Sequence, residues 1–266
     1  GKEIPMEIIA ATLQEDSGDS QGKILLFRDT SEIRRLQEEV ERNRRLASLG
    51  SLAAGVAHEI RNPLSSIKGF ATYFKERYRQ NAEDGRIADV MVNEVERLNR
   101  VIGQLLEFSR PVNLQRRDAA LPERVRHALK VIEPDAARAG VEIRTEFAPG
   151  LPTVRIDPDR FHQVLLNLFL NAIQAMEGGG TLSAAAAPEG RGRVRITVSD
   201  TGKGIAPEDL GRIFDPYFTT RPTGTGLGMA IVQRIVGAHG GEIRVQSTPG
   251  QGTQVSVFLP LGERTL

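Results

Sequence analysis

Four short clusters in this sequence have residue types and spacings that could do chemistry. The first is HEIRNP, 58–63. Apolar residues at Ala53, Val56, Ile60, Leu64 and Ile67 define one face of a predicted helix, and at 100° per residue His58 falls off that face, toward solvent. Asn62 shares its side one turn on, and Glu59 is adjacent around the helix. A lone helical histidine is ordinarily an unremarkable surface residue, but this one has a carboxylate beside it, an amide at i+4 and a proline at the fifth position. Neutral imidazole is a good nucleophile near neutral pH, and a neighbouring carboxylate can hold the needed tautomer. A zinc-protease reading of the same letters fails because position 62 is Asn, not the second His.

The second cluster is NLFLNA, 167–172, which puts Asn167 and Asn171 one turn apart on an otherwise apolar helix. Two readings are open there. The amides bond each other or the core, or their oxygens serve a hard cation such as Mg²⁺, with phosphates and waters completing its shell. The third is DTGKGI, 200–205, after a strand-like VRITVS. Asp200 at a strand end can accept from an exocyclic amine such as that of adenine, while Gly202 and Gly204 permit close backbone approach. The fourth is GTGLG, 224–228, directly ahead of the helical MAIVQRIV. It aims free N–H groups and a helix dipole at an anion. Neither the P-loop pattern nor the Rossmann pattern is present. Between the third and fourth clusters, IFDPYFTTRPT (213–223) reads as a lid over nucleotide.

These clusters need elements to carry them. Residues 5–13 and 23–28 read as two strands joined by a turn-rich segment. From Ser31 a charged heptad pattern (Ile33, Leu36, Val40) predicts a coiled coil whose seam shifts phase near 43–46, with the Arg-rich stretch 34–45 as its solvated face. Pro63 predicts a kink. A polar break at 80–85 separates this helix from a second apolar series, Ile87, Met91, Val95, Leu98, Ile102 and Leu105, ended by Pro111. One helical hairpin cannot bury so continuous a stripe, which predicts a homodimeric four-helix bundle. After a polar linker, helices are expected over 121–137, 158–176 and 227–238, and strands over 141–147, 181–187, 193–200, 241–247 and 252–259. That mixture predicts an α/β sandwich with one helical face.

Composition narrows the classes further. The 266 residues exceed one small domain, and 35 Lys+Arg against 34 Asp+Glu give a net charge of +1 and no general electrostatic case for nucleic acid. Zero Cys removes disulfides and thiol chemistry. No apolar run approaches a membrane span, and Gly1 in place of Met reads as a processed or excised fragment.

Taken jointly, LASLGSLAAGVAHEIRNPLSSIKGFA, NLFLNAIQAM, DTGKGI, IFDPYFTT and GTGLGMAIV resemble the phosphoacceptor, asparagine, glycine-rich and lid boxes of a two-component sensor histidine kinase. The similarity runs from about residue 45 to 260, and within that family it points to the nitrogen-regulatory and zinc-responsive subgroup. The opening IPMEIIAATL and GKILLFRDTSEI resembles the end of a PAS sensor domain.

The implied fold is α+β multidomain: a long helical hairpin forming a dimeric four-helix bundle, then an α/β sandwich ATP-binding domain of the gyrase, heat-shock and histidine-kinase type. The implied divisions are a PAS-like remnant at 1–30, a coiled-coil signalling helix at 31–47, a dimerisation and phosphotransfer hairpin at 48–112 and a catalytic domain at 118–266. The resemblance makes His58 the phosphorylated residue, Glu59 its base, and Asn62 the residue that orients water when the partner is dephosphorylated. It makes Asn171, with Asn167, the Mg²⁺ ligand, and Asp200 the adenine contact. Gly202, Lys203, Gly204, Ile205, Phe214, Thr219, Thr220, Arg221, Gly224, Thr225, Gly226, Leu227 and Gly228 complete the ATP site. Many family members carry a basic residue where this chain has Gln174, which leaves Lys203 and Arg221 as the cations for phosphate.

The implied partners are a second copy of the chain and the receiver domain of a response regulator, with no nucleic acid and no membrane contact in this fragment. The implied location is the cytoplasmic portion of a protein that, at full length, can be anchored in the bacterial inner membrane. Two rival readings conflict with the residues. A clamp-type ATPase of the same fold gives no reason for HEIRNP on an exposed helical face, and a non-catalytic relay gives none for the intact Asn, Asp and Gly positions.

Overall fold

The computed structural model describes residues 5–14, 20–31, 60, 62–77, 82–109, 112–190, 192–221 and 224–261. The expected coiled coil, its seam shift, His58 and Glu59 lie outside the described residues.

The N-terminal strands are β1 (Met6–Gln14) and β2 (Ser20–Asp29), an antiparallel hairpin in which Met6 faces Asp29. Ile8, Ile9, Ile24, Leu25, Leu26 and Phe27 are exposed.

Helix α1 covers 62–77 and α2 is Ala82–Ser109. Their apolar spacings meet in a small cluster of Leu64, Val95 and Ile102, with Leu106 against it. The ion pairs Lys68–Glu96 (2.9 Å) and Lys75–Asp89 (2.5 Å) fix an antiparallel register. α1 runs on unbroken after Pro63. A second apolar stripe stays exposed along both helices, including Phe70 at 64% and Ile87 at 55%, more than one hairpin can cover.

The C-terminal half contains β3 (Arg117–Ala119), α3 (Leu121–Ala139), β4 (Val141–Phe147), β5 (Val154–Ile156), α4 (Pro158–Ala175), β6 (Gly180–Glu189), β7 (Arg193–Asp200), α5 (Pro207–Leu210), α6 (Gly228–Ala238), β8 (Glu242–Thr248) and β9 (Gly252–Pro260). Five strands form one sheet in the order β4-β6-β7-β9-β8, parallel only between β4 and β6, and β3 pairs with β5 separately. In β7 every second residue is buried (Val194, Ile196, Val198), the period of a sheet with one covered face. α3, α4 and α6 cover that face with Val125, Leu165, Phe169 and Ile235. The result is the expected two-layer sandwich. Strands 141–147 and 193–200 match their predicted bounds, whereas β3, β5 and α5, at three to four residues, are too short to show a period.

Candidate functional site

α4 begins where Asp157 caps it, accepting from the backbone N–H groups of Asp159 (3.1 Å) and Arg160 (3.0 Å), with Pro158 at the first turn. Its apolar face is sealed by Phe161, Leu165, Leu168 and Phe169, so Asn167 and Asn171 emerge half-buried on the opposite side. The same side meets the start of α6. A Cβ built on Gly228 would lie 3.7 Å from Asn167 Oδ1 and 4.0 Å from Asn171 Nδ2. Among the described residues no side chain caps α6; Thr225 Oγ1 accepts only from Leu227 N, at 3.4 Å, and Gly228 and Met229 of the first turn line this space.

Asp200 sits at the end of β7. Its Oδ1 accepts from Gly202 N (2.9 Å) and Thr253 N (3.3 Å), and no described residue donates to Oδ2. Burial raises its carboxyl above the usual range, against the pull of those two N–H groups and of the Arg221 charge. The turn that follows is clamped from two sides: Lys203 N donates to Ala175 O (3.0 Å), and Gly250 N donates to Lys203 O (2.8 Å). Gly204 has φ +69, and a Cβ there would strike Thr248 O, so the sheet end can close on this loop only with glycine.

In the described part of the lid, 213–221, Tyr217 N donates to Gly226 O at 3.1 Å. Tyr217 takes φ +66, a strained value for a side-chain residue. Arg212 stacks on Phe218 at 4.4 Å. Arg221 crosses from the lid to the last turn of α4, where Nη1 donates to Gln174 Oε1 (2.6 Å) and Asn171 Oδ1 (3.3 Å), and Nη2 donates to Asn171 O (2.9 Å). Burial pulls its guanidinium below its ordinary pKa, while Asp200 and Glu177 oppose that.

These groups surround one cavity of about 730 Å³. α4 contributes Asn167 and Asn171, and the β7 turn contributes Asp200, Lys203, Gly204 and Ile205. The lid and its exit contribute Thr219, Thr220, Arg221, Gly224, Thr225, Gly226 and Gly228. Three expected residues stand back from it. Leu227 is 1% exposed in the core, Gly202 backs onto Ala175 O, and Phe214 is half-buried outside the lining. Asn62 is exposed on α1. The remaining wall was not read from the sequence: Glu94, Arg97 and Gln104 of α2 close the cavity, and Thr225 Oγ1 donates to Gln104 Oε1 at 2.6 Å. Their spacings of three and seven residues mark one helical side, but only the fold brings them opposite the lid.

Amide oxygens a turn apart beside an uncapped helix start fit a hard cation shared with phosphate oxygens. Among the described residues, no group of three or more His, Asp or Glu could hold a metal by itself. No described helix is long and apolar enough to cross a membrane.

Comparison with known proteins gives two family matches. Residues 156–263 match the histidine kinase-, DNA gyrase B- and HSP90-like ATPase family, and residues 48–114 match the His Kinase A (phospho-acceptor) domain. The chain is 49% identical over 226 residues to the sensor histidine kinase ZraS of Escherichia coli K12, covering 85% of this chain and 48% of that protein. It is 34% identical over 258 residues to the signal transduction histidine-protein kinase AtoS of the same organism, covering 97% of this chain and 42% of that one. It therefore spans about half the length of the curated relatives it matches. Among solved structures, full-length ShkA in complex with AMPPNP is similar at TM-score 0.69 and 31% identity, covering 79% of this chain and 46% of that one. Histidine kinase ThkA in complex with response regulator protein TrrA is similar at TM-score 0.64 and 28% identity, covering 98% and 76%.

Proposed function

The chain belongs to the two-component sensor histidine kinases, and from that premise we propose that it moves the terminal phosphate of ATP to its own His58 and then to an aspartate of a response regulator. The observation that carries this reading is the convergence of Asn171, Asp200 and the uncapped start of α6 on one cavity whose far wall is the phosphoacceptor hairpin itself. Asp200 Oδ2 takes the amine edge of adenine, and the N–H groups at Gly226 and Gly228 take phosphate oxygens. Asn171, with Asn167, holds Mg²⁺, which when bound supplies charge neutralisation along the triphosphate. Of the two cations, Arg221 is the one for phosphate, since Lys203 lies 4.0 Å from Glu177 and Arg221 faces Asn171.

In the transfer step a ring nitrogen of His58 attacks the terminal phosphorus in line. A P–N bond forms as the bond to the bridging oxygen breaks, ADP leaves with that electron pair, and Glu59 accepts the proton of the other ring nitrogen. Aspartate of the receiver domain then displaces the imidazole. The exposed apolar stripe of α1 and α2 is covered by the same stripe of a second chain, closing a four-helix bundle.

The proposed divisions are the PAS-like remnant at 1–30, the signalling helix at 31–47, the phosphotransfer hairpin at 48–112 and the catalytic domain at 118–266. A signal from the N-terminal side repacks the bundle and shifts the Gln104–Thr225 contact, so that the catalytic half reaches His58 or releases it.

Incubation with γ-labelled ATP and Mg²⁺ tests the reading: the protein acquires a label that acid removes and base does not. A label with the opposite stabilities, or ATP hydrolysis with no label, overturns it. The exposed amide of Asn62, four residues after His58 in the sequence, is the group for orienting water on the phosphorylated regulator. Asn62→Ala is expected to slow regulator dephosphorylation by about tenfold or more while autophosphorylation persists. An unchanged dephosphorylation rate removes Asn62 from that role.

A further inference from the structure

Resting on the nucleotide site proposed above, we propose that Gln174 is a positioning residue that holds the Arg221 guanidinium in the site as the counter-charge for the terminal phosphates. Among the described residues three cations line the cavity, and two are engaged by carboxylates: Arg97 pairs with Glu94 at 2.6 Å, and Lys203 lies 4.0 Å from Glu177. Arg221 alone of the three has only neutral acceptors among the described residues, namely the side-chain oxygens of Gln174 and Asn171 and the carbonyl of Asn171. Neutral acceptors fix a guanidinium without cancelling its charge, and the carboxylates of Asp200 and Glu177 act on it only from beyond hydrogen-bond distance. Arginine has five N–H donors, and these bonds use three, which leaves two for an oxyanion.

The three bonds are not equivalent once a divalent cation comes to Asn171 Oδ1. Like charge repels Nη1 from that oxygen, and at 3.3 Å this is the longest of the three contacts. The bond to Gln174 at 2.6 Å does not compete with the metal. Gln174 thus keeps the guanidinium within the site while Asn171 changes partner. A lysine at 174 would put its own ammonium where the guanidinium now sits and repel Arg221. A neutral amide at 174 and an arginine at 221 therefore do one job together, and a basic residue at 174 would do it alone.

Equilibrium binding to the whole chain with Mg²⁺, comparing a non-hydrolysable ATP analogue with ADP, tests this without turnover. Arg221→Met is expected to weaken the triphosphate about tenfold and ADP by no more than about twofold, the size of a lost charge-assisted phosphate contact. Gln174→Leu is expected to weaken the triphosphate in the same sense, and the double variant to be no worse than Arg221→Met, because Gln174 acts through Arg221. Arg221→Met combined with Gln174→Lys is expected to recover most of the lost triphosphate affinity, a rescue that general loosening of α4 or the lid would not produce. ADP affinity reports that each variant is folded. The proposal is overturned if Arg221→Met leaves the ATP-to-ADP ratio unchanged, if the Gln174 and Arg221 effects add, or if the lysine swap restores nothing. A wild-type chain that binds neither nucleotide overturns instead the nucleotide site beneath it.

Discussion

Substituting Gln for His58 is expected to abolish the acid-labile phosphoryl label, a loss of more than about a hundredfold, while Mg–ATP affinity stays within about twofold of wild type. Glutamine keeps a polar, hydrogen-bonding side chain of similar reach, but its amide nitrogen has no available lone pair, so the nucleophile is removed with little change in volume. The groups proposed to hold nucleotide come from elements other than the one that carries position 58 in the sequence: the exposed side of α4, the end of β7, the lid and the start of α6. Nothing in that set depends on position 58. Labelling and equilibrium nucleotide binding on the same preparation separate the two functions. A label that persists in His58→Gln would show that another side chain receives the phosphate. Loss of label together with loss of nucleotide binding would point to a collapsed chain rather than a missing nucleophile.

That separation also explains what could be read before the fold was known. Asn167, Asn171, Asp200 and the glycines at 224–228 announce themselves because each sits at an element boundary, or breaks an apolar pattern, where only a special demand explains the residue type. Asn171, which with Asn167 interrupts the otherwise apolar run 164–173 of α4, is such a break. The α2 wall carries no such signal. Glu94, Arg97 and Gln104 are ordinary helix-surface residues, and their facing the lid depends on how the hairpin meets the sandwich, with Gln104 and Thr225 121 residues apart. Short elements were lost for a different reason: β3 and β5 are held by pairing with each other across the chain, Arg117 opposite Ile156, rather than by any local periodicity. Arg221 was legible as a cation but not as a partner of Gln174, since that pairing spans 47 residues.

His239 was not legible at all, and its removal carries a large expected effect on stability. It is 2% exposed just past α6, where Nε2 accepts from Asp157 N at 2.9 Å. Nδ1 must then carry the proton, which it donates to Ile235 O at 2.8 Å. Asp157, itself 6% exposed, caps α4 and accepts from Gln115 N at 2.8 Å, and Arg116 Nη2 donates to Ala238 O at 2.7 Å. One buried imidazole therefore ties the start of the asparagine-bearing helix to the end of α6, and the linker is held beside that joint by Asp157 and Ala238. His239→Ala leaves the Asp157 N–H unsatisfied beside a cavity, at a cost of about 2–4 kcal/mol, lowering the Tm of the C-terminal half by about 10 °C.

The histidine also sets an acid limit. Burial holds its pKa below the ordinary 6.5, with the Arg116 charge adding to that and the Ile235 carbonyl and Asp157 opposing. Below about pH 6.5 the unfolded chain takes up a proton that the native imidazole resists, so stability is full above that value and falls as pH drops toward the native pKa. Asp157 behaves differently. Burial raises its carboxyl, but the backbone donors of Arg160, Gln115 and Asp159, with His239, outweigh it and hold the group below 3.8, so its contribution is lost only in stronger acid. Thermal unfolding at pH 7.5 and 5.5 distinguishes the two. Wild type is expected to lose Tm between those values, and His239→Ala to start lower and change less. A variant that keeps the wild-type Tm, or the full wild-type pH dependence, would rule out the imidazole as the joint between α4 and α6.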